Sequence, residues 1–316
     1  MTENDSIRCS IGIDVGASNV RIGILDAAGG LLGKRKADIR DRKHDSTRTM
    51  EFIRDEAQAV VQAAGLSPGE IGFIGLGFPG TVDDAGQSIS FAPNLGWRDV
   101  AVGRYFRGFP RAVVTLVQDA RAAAFAEYLL GAGKGDPIMV CITLGTGIGA
   151  GIVINGKVFH GAFNTAGEIG HMIVEENGLA CACGQSGCLE AYCSGTAIVK
   201  AARQSGKRGR EGEVNGAEQV FGLARDGDPE ALTVIRRAAH YLGVGIVNVV
   251  NLLSPSSVVL SGGMCEQEEL LIRPVRESVL AHAYALSVRP PGFRVVKAAL
   301  GEDSPMIGAG MIHRGN

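Results

Sequence analysis

Residues 138–154 read IMVCITLGTGIGAGIVI. An apolar run with β-branched residues stops at a glycine–threonine turn, and a second apolar run follows. That pattern predicts strand, glycine turn, strand. Residues 11–25, IGIDVGASNVRIGIL, have the same layout. Aligning Gly16 with Gly145 places apolar strands before both turns and GIL or GIV strands after both. A repeat at such a distance predicts two related α/β domains, each opening with a hairpin that presents a glycine turn. Single glycine hairpins are common, so the pairing points to duplication where either turn alone would not.

The two turns, DVGASN and LGTGIG, share one physical logic. Small residues leave backbone N–H groups exposed in a tight turn, and such nests bind phosphate oxygens. Ser18 and Thr146 add hydroxyl donors. Asp14, ahead of the first turn, could organise Mg2+, which favours carboxylate plus retained waters. No Gly-Lys-Ser/Thr follows either turn, and a strand rather than a helix comes next. Neither the P-loop nor the dinucleotide fingerprint therefore fits. As a matched pair with an acid before the first, the turns favour a nucleoside triphosphate held between two lobes. LSGG at 260–263 is a third strand-to-glycine junction, suited to lie under an adenosine.

Outward from these hairpins the elements alternate. LLGKRKADI reads as a third strand, and residues 47–64 have helical spacing, with Met50, Ile53, Ala57, Val60, Val61 and Ala64 on one side. IGFIGLGFPG and AVVTLVQD read as strands, the second running into the helix ARAAAFAEYLL, closed by Gly131. From about 217 the chain reads helical. The strand SVVLSGG, the helix EELLIRPVRESVLAHAY, the strand FRVVKAAL and a closing helix SPMIGAGMIHR follow. The polar, basic stretch 203–216 reads as a solvated surface loop.

The 316 residues, 46% of them hydrophobic, suffice for two cores. The net charge of −2 gives no strong field toward nucleic acid or an anionic membrane. The apolar runs are too short or too interrupted to span a bilayer, and MTENDSIRCS lacks the apolar core of a signal peptide. These features predict a soluble cytoplasmic protein. There the seven cysteines, an odd number, would stay reduced.

Asp119 ends a strand and starts a helix. It could be an N-cap, since aspartate is favoured there. It could also be a general base, since phosphoryl transfer to an alcohol needs a carboxylate to orient and deprotonate it. Local sequence leaves both open. Cys181, Cys183 and Cys188, in CACGQSGC, are small and glycine-interleaved, unlike core packing, and lack a C-x-x-C redox spacing. Three converging sulfurs need a fourth ligand for tetrahedral zinc, and His171 is the nearest histidine. Such a Cys3His site is closed, hence structural. Cys9, Cys141, Cys193 and Cys265 lie in apolar or mixed runs and read as small core residues. A clamp on His171 and Cys188 would also fix Glu168 and Glu190, acids able to hydrogen-bond a polyol.

DVGASN, GFPGTVD, FAPNLGW, QDARAAA, LGTGIGAGIVINGK, AGEIGH and CACGQSGCLE together resemble the ROK family of sugar kinases, repressors and related proteins. They occur in that family's order over roughly 11–196, and LSGG extends the match to about 263. FAPNLGWRDV and ITLGTGIG are most similar to its bacterial glucokinase branch. The resemblance implies an actin-like ATPase (ribonuclease H-like) fold of two α/β domains with a ligand cleft between them. The N-terminal domain would run over 1–118, completed by the C-terminal helix 303–316, and the second over 119–302 with the zinc loop. It implies ATP bound by Asp14, Gly16, Ala17, Ser18 and Asn19, by Gly145, Thr146 and Gly147, and by Gly262 and Gly263. Asp119 would be the catalytic base. Gly80, Asn94, Gln118, Asp119, Glu168, His171 and Glu190 would line the sugar site. His171, Cys181, Cys183 and Cys188 would hold zinc, and the family usually dimerises.

Three positions depart from the family's pattern. Ala17 stands for glycine in D-x-G-G-T, Gln118 for the asparagine that precedes the base, and Arg121 for asparagine. DVGAS and CSG at 193–195 are similar to the allose-kinase branch. The implied activity is ATP- and Mg2+-dependent phosphorylation of a hexose at its 6-hydroxyl, glucose first, with D-allose, N-acetylmannosamine or fructose as alternatives. A repressor of the same family carries an N-terminal helix-turn-helix, for which a strand starting near residue 11 leaves no room. A sensor that has lost catalysis is the remaining rival.

Overall fold

The computed structural model describes residues 9–315 except 84–85, 93, 207, 210–211 and 290–291. Runs of β-branched and aliphatic residues form its central strands. In the first unit these are β1 (Cys9–Val15), every residue of which is buried, β2 (Asn19–Asp26) and β3 (Leu31–Asp38). The chain continues through α1 (Ser46–Ala63), β4 (Ile71–Phe78), a three-stranded antiparallel sheet of β5 (Thr81–Val82), β6 (Ser88–Ala92) and β7 (Trp97–Ala101), then β8 (Val113–Gln118) and α2 (Asp119–Leu130). The main sheet has the order β3-β2-β1-β4-β8. Its β1, β2 and β3 form an antiparallel meander, and β4 and β8 join β1 in parallel. The outer strand β3 is mostly exposed and carries Lys34, Arg35 and Lys36, charges that discourage edge-to-edge pairing.

The second half repeats this plan. β9 (Ile138–Leu144), β10 (Ile148–Ile154) and β11 (Lys157–Val158) are followed by α3 (Glu190–Cys193), α4 (Gly195–Gln204), a ribbon of β12 (Arg208–Gly209) and β13 (Gly212–Glu213), then α5 (Ala217–Arg225) and α6 (Pro229–Leu253). β14 (Ser257–Ser261), α7 (Arg273–His282), α8 (Ala285–Val288), β15 (Arg294–Lys297) and α9 (Ser304–Met311) complete the chain. The second sheet has the order β11-β10-β9-β14-β15, with β14 parallel to both β9 and β15. Counting only the strands of each main sheet in chain order, both read third, second, first, fourth, fifth, so the duplication expected from the two hairpins holds at the level of topology.

Two compact units result. One holds 1–135, 151–166 and 300–316, the other 136–150 and 167–299. Within the first, α9 lies so close to the sheet that a Cβ at Gly12 would overlap Met306 O and one at Gly75 would overlap Ala309 O. On its other side, a Cβ at Gly308 would overlap Ala122 O of α2. The small residues of SPMIGAGM thus let a helix wedge between sheet and α2. Glu127, fully buried, accepts from Ala132 N and Leu300 N at 2.9 and 2.8 Å, closing α2 and tethering the approach to α9. In the second unit, buried Asp136 accepts from Ser257 Oγ at 2.5 Å and Arg294 Nη2 at 3.0 Å, joining β14 and β15 to the segment before β9.

Two expectations of secondary structure change. The single helix over 268–284 divides into a π-helical turn at Glu268–Ile272, then α7 and α8. Pro274 has no N–H to continue an i→i−4 ladder from the preceding turn. The loop expected at 203–216 begins with the end of α4 and contains the β12–β13 ribbon, while 207 and 210–211 lie outside the described residues. Among the described residues no helix is long and apolar enough to cross a membrane.

Candidate functional site

In the first unit, register brings acids to one sheet edge. Asp14 on β1 is opposite Gly77 on β4, and Gly77 is opposite Val117 on β8. Asp14 and Val117 therefore lie two strand spacings apart, roughly 10 Å. Asp119, two residues past Val117, opens α2 at this carboxyl edge, where open α/β sheets bind ligands. The cap position of α2 is Gln118, so Asp119 falls in the first turn instead, its Oδ1 accepting from Ala120 N at 2.7 Å.

Asp14 is buried, and Arg21 Nη1 reaches its Oδ2 at 3.2 Å while Nη2 reaches Glu302 at 2.5 Å. Burial pushes the Asp14 carboxyl up to about 6, with Arg21 pulling the other way. The turn itself is closed by Gly16 N donating to Asn19 O and Ile39 N to Ser18 O, both at 2.9 Å. Ala17 is exposed and its backbone is outside the left-handed region, so its methyl strains nothing. Gly80 and Asn94 flank β6. A Cβ on Gly80 would overlap Phe91 O, and Asn94 is exposed in the turn after the strand.

Arg121 is the residue that sequence reading undervalued. It is 2% exposed and donates to Asn164 Oδ1 at 2.5 Å and to the carbonyls of Asn164 and Ala166, both at 2.9 Å. Asn164 sits at φ +53, a conformation asparagine tolerates, and its amide reaches Asp83 O at 3.3 Å. The guanidinium thus fixes the loop that runs into AGEIGH.

In the second unit Glu190 and the EIGH turn meet at Ile148. The Glu190 carboxylate accepts from Ile148 N at 2.8 Å. Gly170, inside EIGH, lies on Ile148 O so closely that a Cβ would overlap it. Glu168 and His171 flank this short turn and are exposed, with His171 N donating to Glu168 O at 3.0 Å. The phosphate-type turn is closed by Gly145 N donating to Gly147 O at 3.1 Å. A cavity of about 680 Å3 opens beside it, lined by Gly145, Thr146, Gly263 and Met264 on one side and by α4 and Phe221 on the other. That volume suits a nucleotide-sized ligand. Gly262, at φ +99, lies on Leu144 O where any Cβ would overlap, which brings the LSGG junction to the end of β9. Thr196 and Lys200 of α4, missed from sequence, line this cavity. The Ser-Gly-Thr before an apolar periodic run was the signal, and Ser194 indeed caps α4 at Ala197 N.

The four zinc-type residues come together. A ring nitrogen of His171 and the sulfurs of Cys181, Cys183 and Cys188 all lie within 4.8 Å of one another. Cys183 and Cys188 sulfurs are 3.7 Å apart, and Cys181 Sγ is 3.8 Å from His171 Nδ1. Tetrahedral zinc with Zn–S near 2.3 Å requires sulfurs about 3.8 Å apart. The donor set and spacing therefore fit that ion. Gly184 and Gly187, at φ +92 and +82, let the loop curl, and a Cβ on Gly187 would overlap Glu175 O. With Nδ1 facing the sulfurs, His171 keeps Nε2 for another partner. Cys9, Cys141, Cys193 and Cys265 are buried, as expected, and the Cys193 thiol donates to Leu189 O.

Twin sheets of one strand order, each opening with a glycine hairpin beside acidic residues, define the actin-like ATPase fold. Within it the chain belongs to the ROK family, whose sequence profile matches residues 10–315. It is 34% identical to the glucokinase of Halalkalibacterium halodurans over 97% of this chain and 95% of that protein. The solved ROK family glucokinase of Streptomyces griseus, in complex with glucose and AMPPNP, superposes with a TM-score of 0.76 at 32% identity, covering 96% and 98% of the two chains. The xylose repressor of Bacillus subtilis is 28% identical over 96% of this chain and 76% of its own length.

Proposed function

We propose that the protein transfers the γ-phosphoryl group of ATP to the 6-hydroxyl of a hexose, glucose being the first candidate. The observation that carries this reading is Asp119, which opens α2 at the sheet edge that also bears Asp14 and the first glycine turn. The similarity to a glucokinase solved with glucose and AMPPNP supports both donor and acceptor. Asp119 accepts the proton of the sugar 6-hydroxyl as that oxygen attacks the γ-phosphorus. The bond to the β,γ-bridging oxygen breaks, and ADP leaves. The turn of Gly16, Ala17, Ser18 and Asn19 that follows Asp14, with the turn of Gly145, Thr146 and Gly147, would cradle the phosphates, and Gly262 and Gly263 would underlie the adenosine. Gly80, Asn94, Gln118, Glu168, His171 and Glu190 read the sugar. Asp14 is also the residue that would organise Mg2+, since its Oδ1 makes no hydrogen bond among the described residues. When bound, that ion neutralises phosphate charge. His171, Cys181, Cys183 and Cys188 would hold a structural zinc, leaving His171 Nε2 and the two glutamates to meet hydroxyls.

A coupled ADP-release screen over glucose, allose, mannose, fructose, N-acetylglucosamine and N-acetylmannosamine tests this reading. Saturable, sugar-dependent release with glucose preferred is expected. The second reading is a ROK sugar sensor without turnover, favoured by the repressor similarity and by the departures at Ala17 and Gln118. Sugar binding with no ADP release for any hexose would replace the first reading with the second.

A further inference from the structure

The segment from Glu190 to Thr196 is bolted along the whole second glycine turn. Glu190 Oε2 accepts from Ile148 N at 2.8 Å. Gly195 N donates to Gly145 O at 2.8 Å, and Thr196 Oγ1 to Thr146 O at 2.8 Å. Ser194 N donates back to Glu190 O at 3.2 Å, so the staples share one short piece of chain. The fit is close. A Cβ on Gly147 would stand 2.5 Å from Glu190 Oε2. Among the described residues the other oxygen, Oε1, accepts no hydrogen bond.

We infer that Glu190 is shared by the sugar and nucleotide sites and makes nucleotide affinity depend on sugar. This rests on the reading of Glu190 as a sugar ligand. A glutamate is anionic at neutral pH. Fixed against the turn that takes phosphates, its charge opposes them when no sugar is present. A sugar hydroxyl donating to Oε1 disperses that charge and holds the carboxylate on Ile148 N. Nucleotide then binds better, and by linkage sugar binds better once nucleotide is in place. The arrangement also disfavours a loaded triphosphate with only water to accept it. Gly147 is required because any side chain there would push the carboxylate off the turn.

The test is calorimetric titration of the full chain with Mg-AMPPNP, with and without saturating glucose, and of glucose alone. Wild type is expected to bind Mg-AMPPNP roughly fivefold or more tightly when glucose is present. Glu190→Gln removes the charge but keeps an acceptor. It is expected to weaken glucose, to bind Mg-AMPPNP more tightly than wild type in the absence of sugar, and to lose the glucose-induced gain. Gly147→Ala displaces the carboxylate while leaving it ionised, and is expected to lose most of the gain as well. If Glu190→Gln binds glucose normally, Glu190 is not a sugar ligand and both the reading and the inference fall. If it weakens glucose yet keeps the full gain, or if Gly147→Ala keeps it, the sugar role stands and the coupling is overturned.

Discussion

The two glycine turns occupy equivalent places in equivalent sheets, yet they are held by different forces. The first follows a buried acid whose charge is balanced within its own unit by Arg21, which Glu302 also engages. The second has no acid in its strand. It is held by main-chain and hydroxyl bonds from Gly195 and Thr196 and by the carboxylate of Glu190, two residues past Cys188. Duplication therefore preserved a backbone shape while the electrostatics diverged. The first sheet edge gathers Asp14 and Asp119, which we propose for the chemistry, and the second turn is tied to Glu190, which we propose reads the sugar.

The largest expected effect tests that division at its centre. Asp119→Asn is expected to lower kcat by about 10²–10⁴ while sugar still binds. Steady-state kinetics beside equilibrium sugar binding separates the two, and near-normal turnover would remove Asp119 from the role of base. Next comes the cluster of His171, Cys181, Cys183 and Cys188 that precedes Glu190. Cys183→Ser should take zinc from about one ion per chain to none by elemental analysis. It should also lower the melting temperature, about 2–4 °C for each kcal/mol lost in a unit of this size. Unchanged metal content would show that the four ligand atoms gather for another reason.

Asp14→Asn sharpens the comparison from the other side. The folded carboxyl is pushed up from an ordinary 3.8 to about 6, first by burial and against the pull of Arg21. Between those values the folded state holds the proton more firmly than the unfolded state, so stability falls as pH rises through that window. Above it the ionised acid costs about 3 kcal/mol. Asp14→Asn is therefore expected to melt higher than wild type at pH 7 and to keep a flatter stability profile from pH 4 to 6, while losing activity. A lower melting temperature would mean that the Arg21 attraction outweighs desolvation.

Much of this was legible because it is local. IGIDVGASN and ITLGTGIG each carry their own turn chemistry, and CACGQSGC with AGEIGH packs four ligands into eighteen residues of chain. The duplicated topology followed from alignment of the hairpins. The β5–β7 sheet was not legible, since its strands are two to five residues long, too short for a period to show. Nor was the clamp of Arg121 on Asn164 and Ala166, which joins residues more than forty positions apart through two backbone carbonyls and one side chain. Sequence flagged Arg121 as a departure from the family's pattern but held no sign of what it grips. Arg121→Met would free that loop, and a several-fold rise in the sugar KM with the ATP KM unchanged is the expected signature.

The smallest effect belongs to Ala17, which stands in the first turn where the family's pattern has glycine. Its residue is exposed and its φ is not positive, so the extra methyl forces no strain on the turn. The hydrogen bonds that close the turn run between Gly16 and Asn19 and between Ile39 and Ser18, and none depends on residue 17. Glycine there would chiefly add freedom to the unfolded chain, costing about 0.5–1 kcal/mol of stability. Ala17→Gly should therefore move the ATP KM by less than about threefold, while the same exchange in reverse at Gly147, where a Cβ would meet Glu190, alters the response to sugar. A large gain in ATP affinity for Ala17→Gly would mean that the methyl stands in the path of a phosphate, and the two turns would then differ in fit as well as in charge.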